Sequence, residues 1–306
     1  MDGKAEVAAA AEALRAGGLV LMPTETVYGL AADAGNARAV AAVYEAKGRP
    51  SFNPLIAHVS DLAMARRIVR FDARAEALAA RFWPGPLTLV LPVADDEAVC
   101  DLARAGLDSV AVRAPAHPLA QALIARFGGP VVAPSANRSG RPSPTTFADA
   151  VEETGPATLA ALDGGPCKIG LESTVVALLD APRLLRPGSV TRAEIEAVIG
   201  PLADAEDDAK RSPGRLARHY APNAPVRLEV TEPRPGEAWL AFGPGGSGPW
   251  NLSPSGDLRE AAANLFAYLR GADRTSPSGI AVAPIPHEGL GEAINDRLKR
   301  AAGFVG

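Results

Sequence analysis

The stretch that decides how this chain is interpreted is Lys47-Gly48-Arg49-Pro50-Ser51-Phe52-Asn53-Pro54-Leu55-Ile56-Ala57-His58. A helical pattern precedes it and a short apolar run ends it. A glycine and two prolines interrupt both patterns, so we expect Lys47, Arg49 and Asn53 to lie on an irregular, exposed loop at the end of a strand. A lysine point charge beside the five-donor fork of an arginine suits a polyphosphate or a carboxylate. A solvated basic turn is the alternative.

Length and composition favour an intracellular chain of two domains. The 306 residues are 47% hydrophobic, enough for two buried cores. Lys and Arg total 31 against 35 Asp and Glu, giving a formal charge of -4. This balance disfavours a protein dedicated to coating nucleic acid or a membrane surface, because both roles need a net basic field. A local basic cleft and small anionic substrates fit better.

The cysteines and the hydropathy favour a cytoplasmic location. Cys100 and Cys167 are the only cysteines and form no Cys-x-x-Cys pair, so neither a zinc site nor a disulfide framework is indicated. The N-terminus shows no signal-peptide pattern, and no apolar run approaches the roughly 18 residues that span a bilayer. We therefore expect a soluble protein with no membrane partner.

Candidate binding side chains follow several predicted strands. Thr26 lies after the first strand and before an expected helical turn, where its hydroxyl either caps a helix or contacts a ligand. His58 ends the strand at 55–59, where a structural hydrogen bond is the alternative to a role in binding. Arg113 leaves the apolar strand at 110–112 and needs either a buried acid or an anionic ligand. We favour the ligand.

The loop Pro134-Ser135-Ala136-Asn137-Arg138-Ser139-Gly140 is a candidate phosphate-binding segment. Its small residues allow backbone N–H groups and hydroxyls to approach phosphate oxygens. No Gly-x-x-x-x-Gly-Lys-Ser/Thr motif occurs, which disfavours a P-loop NTPase, and no nucleophile–base motif is present. Cations, hydroxyls and an amide at strand ends suit phosphate chemistry driven by positioning and charge neutralisation.

The character of the sequence changes between 201 and 223. Acidic residues, Pro and Gly are followed by Arg215, Arg218 and His219-Tyr220-Ala221-Pro222, which indicates a linker that acts as a lid over the site. A Tyr220 that merely packs between domains is the alternative. Strand and helix then alternate to the C-terminus, which predicts a small parallel α/β unit. We interpret the Gly-rich stretch 243–248 as a flexible loop, because no helix follows it directly.

Six short segments, taken together and in their order along roughly the first two hundred residues, form a specific pattern. They are Pro23-Thr24-Glu25-Thr26-Val27-Tyr28-Gly29-Leu30, Lys47-Gly48-Arg49, Phe82-Trp83-Pro84-Gly85-Pro86-Leu87-Thr88, Ser109-Val110-Ala111-Val112-Arg113, Ala133-Pro134-Ser135-Ala136-Asn137-Arg138-Ser139-Gly140 and Glu172-Ser173-Thr174-Val175. Together they resemble the threonylcarbamoyl-adenylate synthase family, which has a YrdC-type domain. Pro213-Gly214 and His219-Tyr220-Ala221-Pro222 resemble the long, two-domain branch of that family.

The resemblance implies an α/β fold in which a twisted mixed sheet with helices and a concave cleft is followed by a smaller Rossmann-like α/β domain. We expect the catalytic domain at 1–200, the linker or lid at 201–223 and the C-terminal domain at 224–306. The implied enzyme is a nucleotidyltransferase that converts L-threonine, bicarbonate and ATP into threonylcarbamoyl-adenylate and pyrophosphate. This is the first step of N6-threonylcarbamoyladenosine formation at position 37 of tRNA.

The resemblance also implies partners and site residues. We expect Mg2+ on the ATP, no prosthetic group and no metal-ligating residue, and a downstream tRNA threonylcarbamoyl transferase; a weak direct contact with tRNA stays open. Lys47 and Arg49 are the expected catalytic residues. The expected threonine ligands are Thr26, His58, Arg113, Ala133 and Ser173. The expected nucleotide ligands are Lys47, Arg49, Asn53, Ser109, Ser135, Ser143, Arg186 and Tyr220.

Two other functions remain as alternatives. One is a module that binds double-stranded RNA through a basic concave surface without turnover. The other is an enzyme that uses carbamoyl phosphate, as in hydrogenase-maturation carbamoyltransferases that contain a related domain. Those enzymes carry zinc-finger cysteine clusters, which two isolated cysteines do not provide.

Overall fold

Ten strands between residues 20 and 204 form one mixed sheet, as expected. The structure is a computed structural model that describes residues 3–95, 97–204 and 219–303. The strands are β1 (Val20–Met22), β2 (Gly29–Asp33), β3 (Ile56–His58), β4 (Leu87–Pro92), β5 (Ser109–Arg113), β6 (Val131–Val132), β7 (Ala160–Ala161), β8 (Thr174–Ala177), β9 (Arg183–Arg186) and β10 (Ala203–Asp204). Their spatial order is β10-β9-β8-β4-β5-β3-β6-β2-β1-β7. In the middle of the sheet, β5 runs parallel to β3 and antiparallel to β4.

Helices cover one face of this sheet and form the main hydrophobic core with it. They are α1 (Gly3–Arg15), α2 (Ala37–Lys47), α3 (Leu62–Ile68), α4 (Ala73–Phe82), α5 (Asp101–Arg104), α6 (Pro118–Phe127), α7 (Phe147–Thr154) and α8 (Arg192–Ile199). Val110 and Val112 of β5 point into this core, whereas Ala111 between them belongs to a separate small cluster. Because side chains alternate along a strand, the small cluster lies on the opposite face.

The stretch around Lys47 lies at the end of a helix, so its predicted position at a strand end was wrong. Asn36 caps the N-terminus of α2 by accepting hydrogen bonds from two backbone N–H groups, and Gly48 ends the helix in the left-handed conformation at φ 57°. Glycine adopts this conformation without the steric cost that a Cβ brings. Lys47 is therefore the last helical residue, and the loop after it leads into β3.

The segment after β1 also differs from the prediction, because no helical turn follows Thr26. The Thr24 hydroxyl accepts hydrogen bonds from the N–H groups of Thr26 and Val27, both at 3.2 Å. This side chain caps a tight turn of the kind that serine and threonine form locally. The chain then reverses, and β2 pairs antiparallel with β1.

The remaining residues form a second α/β domain with a parallel sheet, as predicted. Its elements are β11 (Val226–Arg227), β12 (Glu237–Ala241), β13 (Trp250–Asn251), α9 (Leu258–Arg274), β14 (Gly279–Val282) and α10 (Leu290–Ala301). The strand order is β11-β14-β12-β13, and every pair is parallel. The glycine-rich stretch 243–248 leads into β13 rather than into a helix. None of the described helices combines the length and the apolarity needed to cross a membrane.

The segment between the two domains is only partly described. Residues 203–204 pair with β9 as the edge strand β10, so the start of the expected linker belongs to the sheet. Arg215 and Arg218 of the expected lid lie outside the described residues. His219 and Tyr220 are described, and both are buried.

Arginines of the second domain reach carboxylates of the first. Arg270 donates to Glu153 at 2.9 Å, and Arg274 donates to Asp149 and Glu152, each at 2.5 Å. Gly170 lets the two domains approach closely, because a Cβ there would lie 2.5 Å from the backbone of α9. Arg141 and Arg138 of the first domain also lie within ion-pair distance of the fully buried Glu153 carboxylate.

This convergence on Glu153 predicts a loss of stability when its carboxylate is removed. In Glu153→Ala the buried Arg270 guanidinium loses its carboxylate partner, and breaking one side of a buried pair typically costs about 3–5 kcal/mol. Arg138→Ala is the matched control, because Arg138 is 58% exposed and such pairs contribute less than about 1 kcal/mol. Urea unfolding should therefore show a much lower midpoint for Glu153→Ala than for Arg138→Ala. Similar midpoints would mean that the interface does not depend on this carboxylate.

Candidate active site

A cavity opens where β3 and β5 end, on the face of the sheet opposite the main core. His58 and Arg113, the last residues of these strands, are neighbours in the parallel register. The cavity has a volume of ≈ 50 Å³. It is lined by Thr26, Val27, Arg49, Leu55, Ile56, His58, Arg113, Ala133, Pro134, Ser135, Glu172, Ser173, Arg186, His219 and Tyr220.

Arg113 is held by a buried acid, which differs from the partner favoured on sequence grounds. Its Nη2 donates to Glu25 at 2.5 Å, its Nη1 to the Thr26 hydroxyl at 2.9 Å, and its Nε to the Gly85 carbonyl at 3.1 Å. Of the two alternatives stated from the sequence, a buried acid or an anionic ligand, the structure shows the buried acid. A guanidinium carries five N–H donors, so two remain beyond these three contacts, and Arg113 lines the cavity.

His58 lies beside Arg113 as a neutral imidazole. Burial, together with the neighbouring Arg113 charge, lowers the pKa of His58 to about 3. Its Nδ1 lies 3.1 Å from the Ile56 carbonyl oxygen, which favours a proton on Nδ1. His58 is therefore suited to bind a ligand by a hydrogen bond rather than by charge.

Lys47 is buried beneath the loop that follows β6, so its predicted position on an exposed loop was wrong. The residue is 3% exposed, and its Nζ donates to the carbonyl oxygens of Ser135 and Asn137. Burial, with the nearby Arg49 charge, lowers the pKa of Lys47 well below its usual value. The lysine does not line the cavity itself but supports the loop that does.

Arg49 is half-buried and faces the cavity from the same side. Its Nη2 donates to the Pro54 carbonyl at 3.1 Å and its Nε to the Asn53 carbonyl at 3.4 Å. Burial lowers the pKa of Arg49 to about 10. Asn53 is buried and does not line the cavity, and its contact with the site is this carbonyl.

The opposite wall is built from the segment before β8. Ser173 shares a hydrogen bond of 2.7 Å with the Thr88 hydroxyl, and Arg186 donates to the Ser173 hydroxyl at 3.2 Å and to its carbonyl at 3.1 Å. Burial lowers the pKa of Arg186. Ser143 is fully buried and reaches the wall indirectly, because its hydroxyl donates to the Glu172 carboxylate.

The small apolar cluster forms a floor on this face of the sheet. It consists of Ile56, Val90, Ala111, Val175, Ala177 and Leu185. Ser109 and Arg113 point to the same face as Ala111, since they lie two residues to either side of it. Ser109 is therefore placed about 13 Å along the strand from Arg113 and does not line the cavity.

Tyr220 and His219 close the cavity from the side of the second domain. Tyr220 is 1% exposed and adopts a left-handed conformation at φ 61°, which is costly for a residue with a bulky side chain. Its ring packs against Phe266 at 5.3 Å and against His219 at 4.0 Å. Burial, with the nearby Arg49 charge, lowers the pKa of His219 well below its usual value. Tyr220 thus contacts both the second domain and the cavity.

Nine of the thirteen expected ligand residues line one cavity. They are Thr26, Arg49, His58, Arg113, Ala133, Ser135, Ser173, Arg186 and Tyr220. Sequence reasoning assigned no role to Glu25 and Glu172, although both belong to the quoted motifs. Their presence in motifs that also contribute cations could have indicated a role, because buried cations need a counter-charge.

Comparisons with known proteins support the same assignment over the whole length. Residues 12–188 match the Sua5, YciO and YrdC family model, described as telomere recombination. Residues 190–303 match the model described as threonylcarbamoyl-AMP synthase, C-terminal domain. The threonylcarbamoyl-AMP synthase of Bacillus subtilis is 41% identical over 97% of this chain and 93% of its own length. That of Pyrococcus abyssi is also 41% identical, over 96% and 93%.

A solved structure agrees with these sequence matches. The crystal structure of P. abyssi Sua5 complexed with L-threonine superposes with a TM-score of 0.90 at 40% identity, covering 98% of this chain and 95% of that one. The resemblance found in the motifs is thereby confirmed, and this chain belongs to the threonylcarbamoyl-AMP synthase family, in its two-domain Sua5 form.

Proposed function

We propose that this chain condenses L-threonine, bicarbonate and ATP into threonylcarbamoyl-adenylate and pyrophosphate, the first step of N6-threonylcarbamoyladenosine synthesis on tRNA. The observation that carries the proposal is the convergence of Arg49, Arg113 and Arg186 on one cavity with the hydroxyls of Thr26 and Ser173. Cations suit the anionic parts of the substrates, and hydroxyls suit the polar groups of threonine. Family membership supports a nucleotidyltransferase.

The reaction needs positioning more than it needs a nucleophile from the protein. The threonine amine combines with bicarbonate and loses water, or with CO2 and loses a proton, to give a carbamate, and a carbamate oxygen attacks the α-phosphorus of ATP. The bond from that phosphorus to the bridging oxygen breaks, and pyrophosphate leaves with the electron pair. The enzyme stabilises the charge that develops on the phosphates and holds the reacting atoms in line.

We propose that the two substrates occupy opposite ends of the cleft. We assign threonine to the end with Thr26, His58, Arg113, Ala133 and Ser173. The two N–H groups that Arg113 has left suit the threonine carboxylate, and the neutral His58 suits its hydroxyl. We assign the nucleotide to the end with Lys47, Arg49, Asn53, Ser109, Ser135, Ser143, Arg186 and Tyr220, with the apolar floor beneath the base.

Mg2+ belongs to this proposal as part of the MgATP substrate. Mg2+ keeps several water ligands and is usually held through substrate phosphates with few protein carboxylates. Among residues 3–95, 97–204 and 219–303, no three His, Cys, Asp or Glu side chains group together as a metal site. We place the reaction in the cytoplasm, where a tRNA threonylcarbamoyl transferase takes up the product. A weak direct contact with tRNA is part of the same proposal.

We further propose that residues 1–200 form the catalytic domain, 201–223 a lid and 224–306 the C-terminal domain. The cavity of ≈ 50 Å³ is far smaller than the roughly 300–1,000 Å³ of ordinary ligand sites. Part of its wall must therefore move to admit ATP. Tyr220 and His219 are suited to this movement, because they form the wall at the end of the connecting segment. Closure over the ligands would shield the carbamate and the mixed anhydride from water.

The activity itself is tested by mass detection of threonylcarbamoyl-adenylate after incubation with MgATP, threonine and bicarbonate. Product should form only when all three are present, with pyrophosphate released in equal amount. Arg49→Ala should lower turnover by about tenfold or more, because it removes charge stabilisation at the phosphates. Arg38→Ala removes an exposed arginine of α2 and should leave turnover unchanged. RNA binding without any adenylate product would favour the rival RNA-binding module.

Arg113→Ala should weaken threonine binding much more than ATP binding. Truncating one side of a buried charged contact costs about 2–5 kcal/mol, and the variant also leaves Glu25 to repel the threonine carboxylate. Glu25→Gln keeps the guanidinium and should retain threonine binding. Isothermal titration calorimetry with each substrate measures both effects. Equal loss of threonine affinity in the two variants would show that Arg113 only supports the fold.

Tyr220→Ala should uncouple pyrophosphate release from product formation. A lid that no longer closes exposes the carbamate and the adenylate to water, so more pyrophosphate should appear for each threonylcarbamoyl-adenylate recovered. Tyr220→Phe keeps the ring and should stay close to the wild-type ratio. If Tyr220→Ala lowered the melting temperature without changing the ratio, the tyrosine would serve only to pack the domains together.

A further inference from the structure

One side chain of the second domain reaches the wall of the candidate site. Arg297, in α10, is fully buried, and its Nε donates to the Glu172 carboxylate at 2.9 Å. Its Nη1 donates to the Pro187 carbonyl and to Asp296, both at 2.8 Å. The guanidinium also lies over the ring of Tyr220, 5.5 Å from the ring centre, in a geometry typical of a cation–π contact.

Glu172 is an unexpected group in a cleft that receives phosphates. The residue lines the cavity, is 6% exposed, and carries a negative charge that would repel an anionic ligand. Its two carboxylate oxygens have different partners. Oε2 accepts from Arg297, while Oε1 accepts from the hydroxyl of Ser143, a proposed nucleotide ligand.

Glu172 interacts electrostatically with Lys47 and Arg186 of the first domain. Burial lowers the pKa of Lys47 and of Arg186, and the charge of the Glu172 carboxylate partly opposes this lowering. Without the arginine from α10, this carboxylate would compete with phosphate oxygens for those same cations. Charge interactions of this kind are stronger away from water, where screening is weak.

We propose that Arg297 is a positioning residue for the nucleotide site, which neutralises Glu172 so that MgATP binds in a cleft without a free carboxylate. This inference rests on the proposed function, since it assumes that a nucleotide occupies the cleft. The second domain thereby gains a defined role, because α10 supplies the ion-pair partner of a carboxylate that lines the cavity. Arg297 acts through Glu172 and is not assigned a contact with substrate.

The test compares single and double variants by calorimetric titration with MgATP and by steady-state kinetics. In Arg297→Met the affinity for MgATP should fall by about tenfold or more, as expected for loss of one charge interaction. The KM for threonine should change much less. Arg297→Met/Glu172→Gln removes both charges and should recover most of the MgATP affinity. A role limited to folding would not produce this recovery.

Arg274→Met is the matched control. Arg274 also joins the second domain to carboxylates of the first, but it is 51% exposed and does not line the cavity. Its MgATP affinity should equal that of the wild type. Thermal melting of every variant reports whether the fold is intact.

If Arg297→Met fails to fold, the affinity for MgATP is compared between the single variant Glu172→Gln and the double variant Arg297→Met/Glu172→Gln. The proposal then requires the two proteins to bind MgATP equally, because a neutral glutamine needs no counter-charge. It is overturned if the double variant binds MgATP much more weakly than Glu172→Gln, or if a folded Arg297→Met binds as tightly as the wild type. A wild-type protein that binds MgATP but forms no adenylate would refute the proposed function instead, while these affinities could still be compared.

Discussion

The removal of several cations from water in a single cleft is the constraint on which this structure depends. Lys47, Arg113 and Arg186 are each at most 5% exposed, and Arg49 is half-buried beside them. Burial of one unpaired ion costs several kcal/mol, and burial lowers the pKa of Lys47 and of Arg186. A fold that gathers these groups must also bring acceptors to them.

The acceptors come from strand ends and loops that lie far apart in sequence. Backbone carbonyls serve Lys47 and Arg186, whereas Arg113 receives a carboxylate from the turn after β1. The mixed strand order makes this convergence feasible, because β3 and β5 end side by side while the turn after β1 closes over them. The cations are thereby fixed before any ligand arrives, which is the preorganisation that electrostatic catalysis requires.

The sequence predicted which residues line the cavity better than it predicted the contacts that those residues make. A short apolar run located β5, and the alternation of strand and helix patterns predicted the parallel sheet of the second domain, since these signals are local. The family resemblance named nine residues that line the cavity. The partner of Arg113 is 88 residues away, which no local pattern reveals. Lys47 was expected on an exposed loop, because its burial depends on the loop after β6, which covers it from a distant part of the chain.

The same constraint links the two domains, whose apolar contacts also meet, since the hydrophobic cluster of the second domain includes Val27 and Leu171 of the first. Glu153 and Glu172 belong to the first domain, and each receives a buried arginine from the second. Detaching the second domain would therefore expose its apolar face and also leave Glu172 without its ion-pair partner at the wall of the cleft. Buried ion pairs that join the two domains favour the relative orientation in which they form, since ion pairs in a low dielectric tolerate little displacement. The position of Tyr220 between Arg297 and the cavity then couples the state of this interface to the space that is open to a ligand.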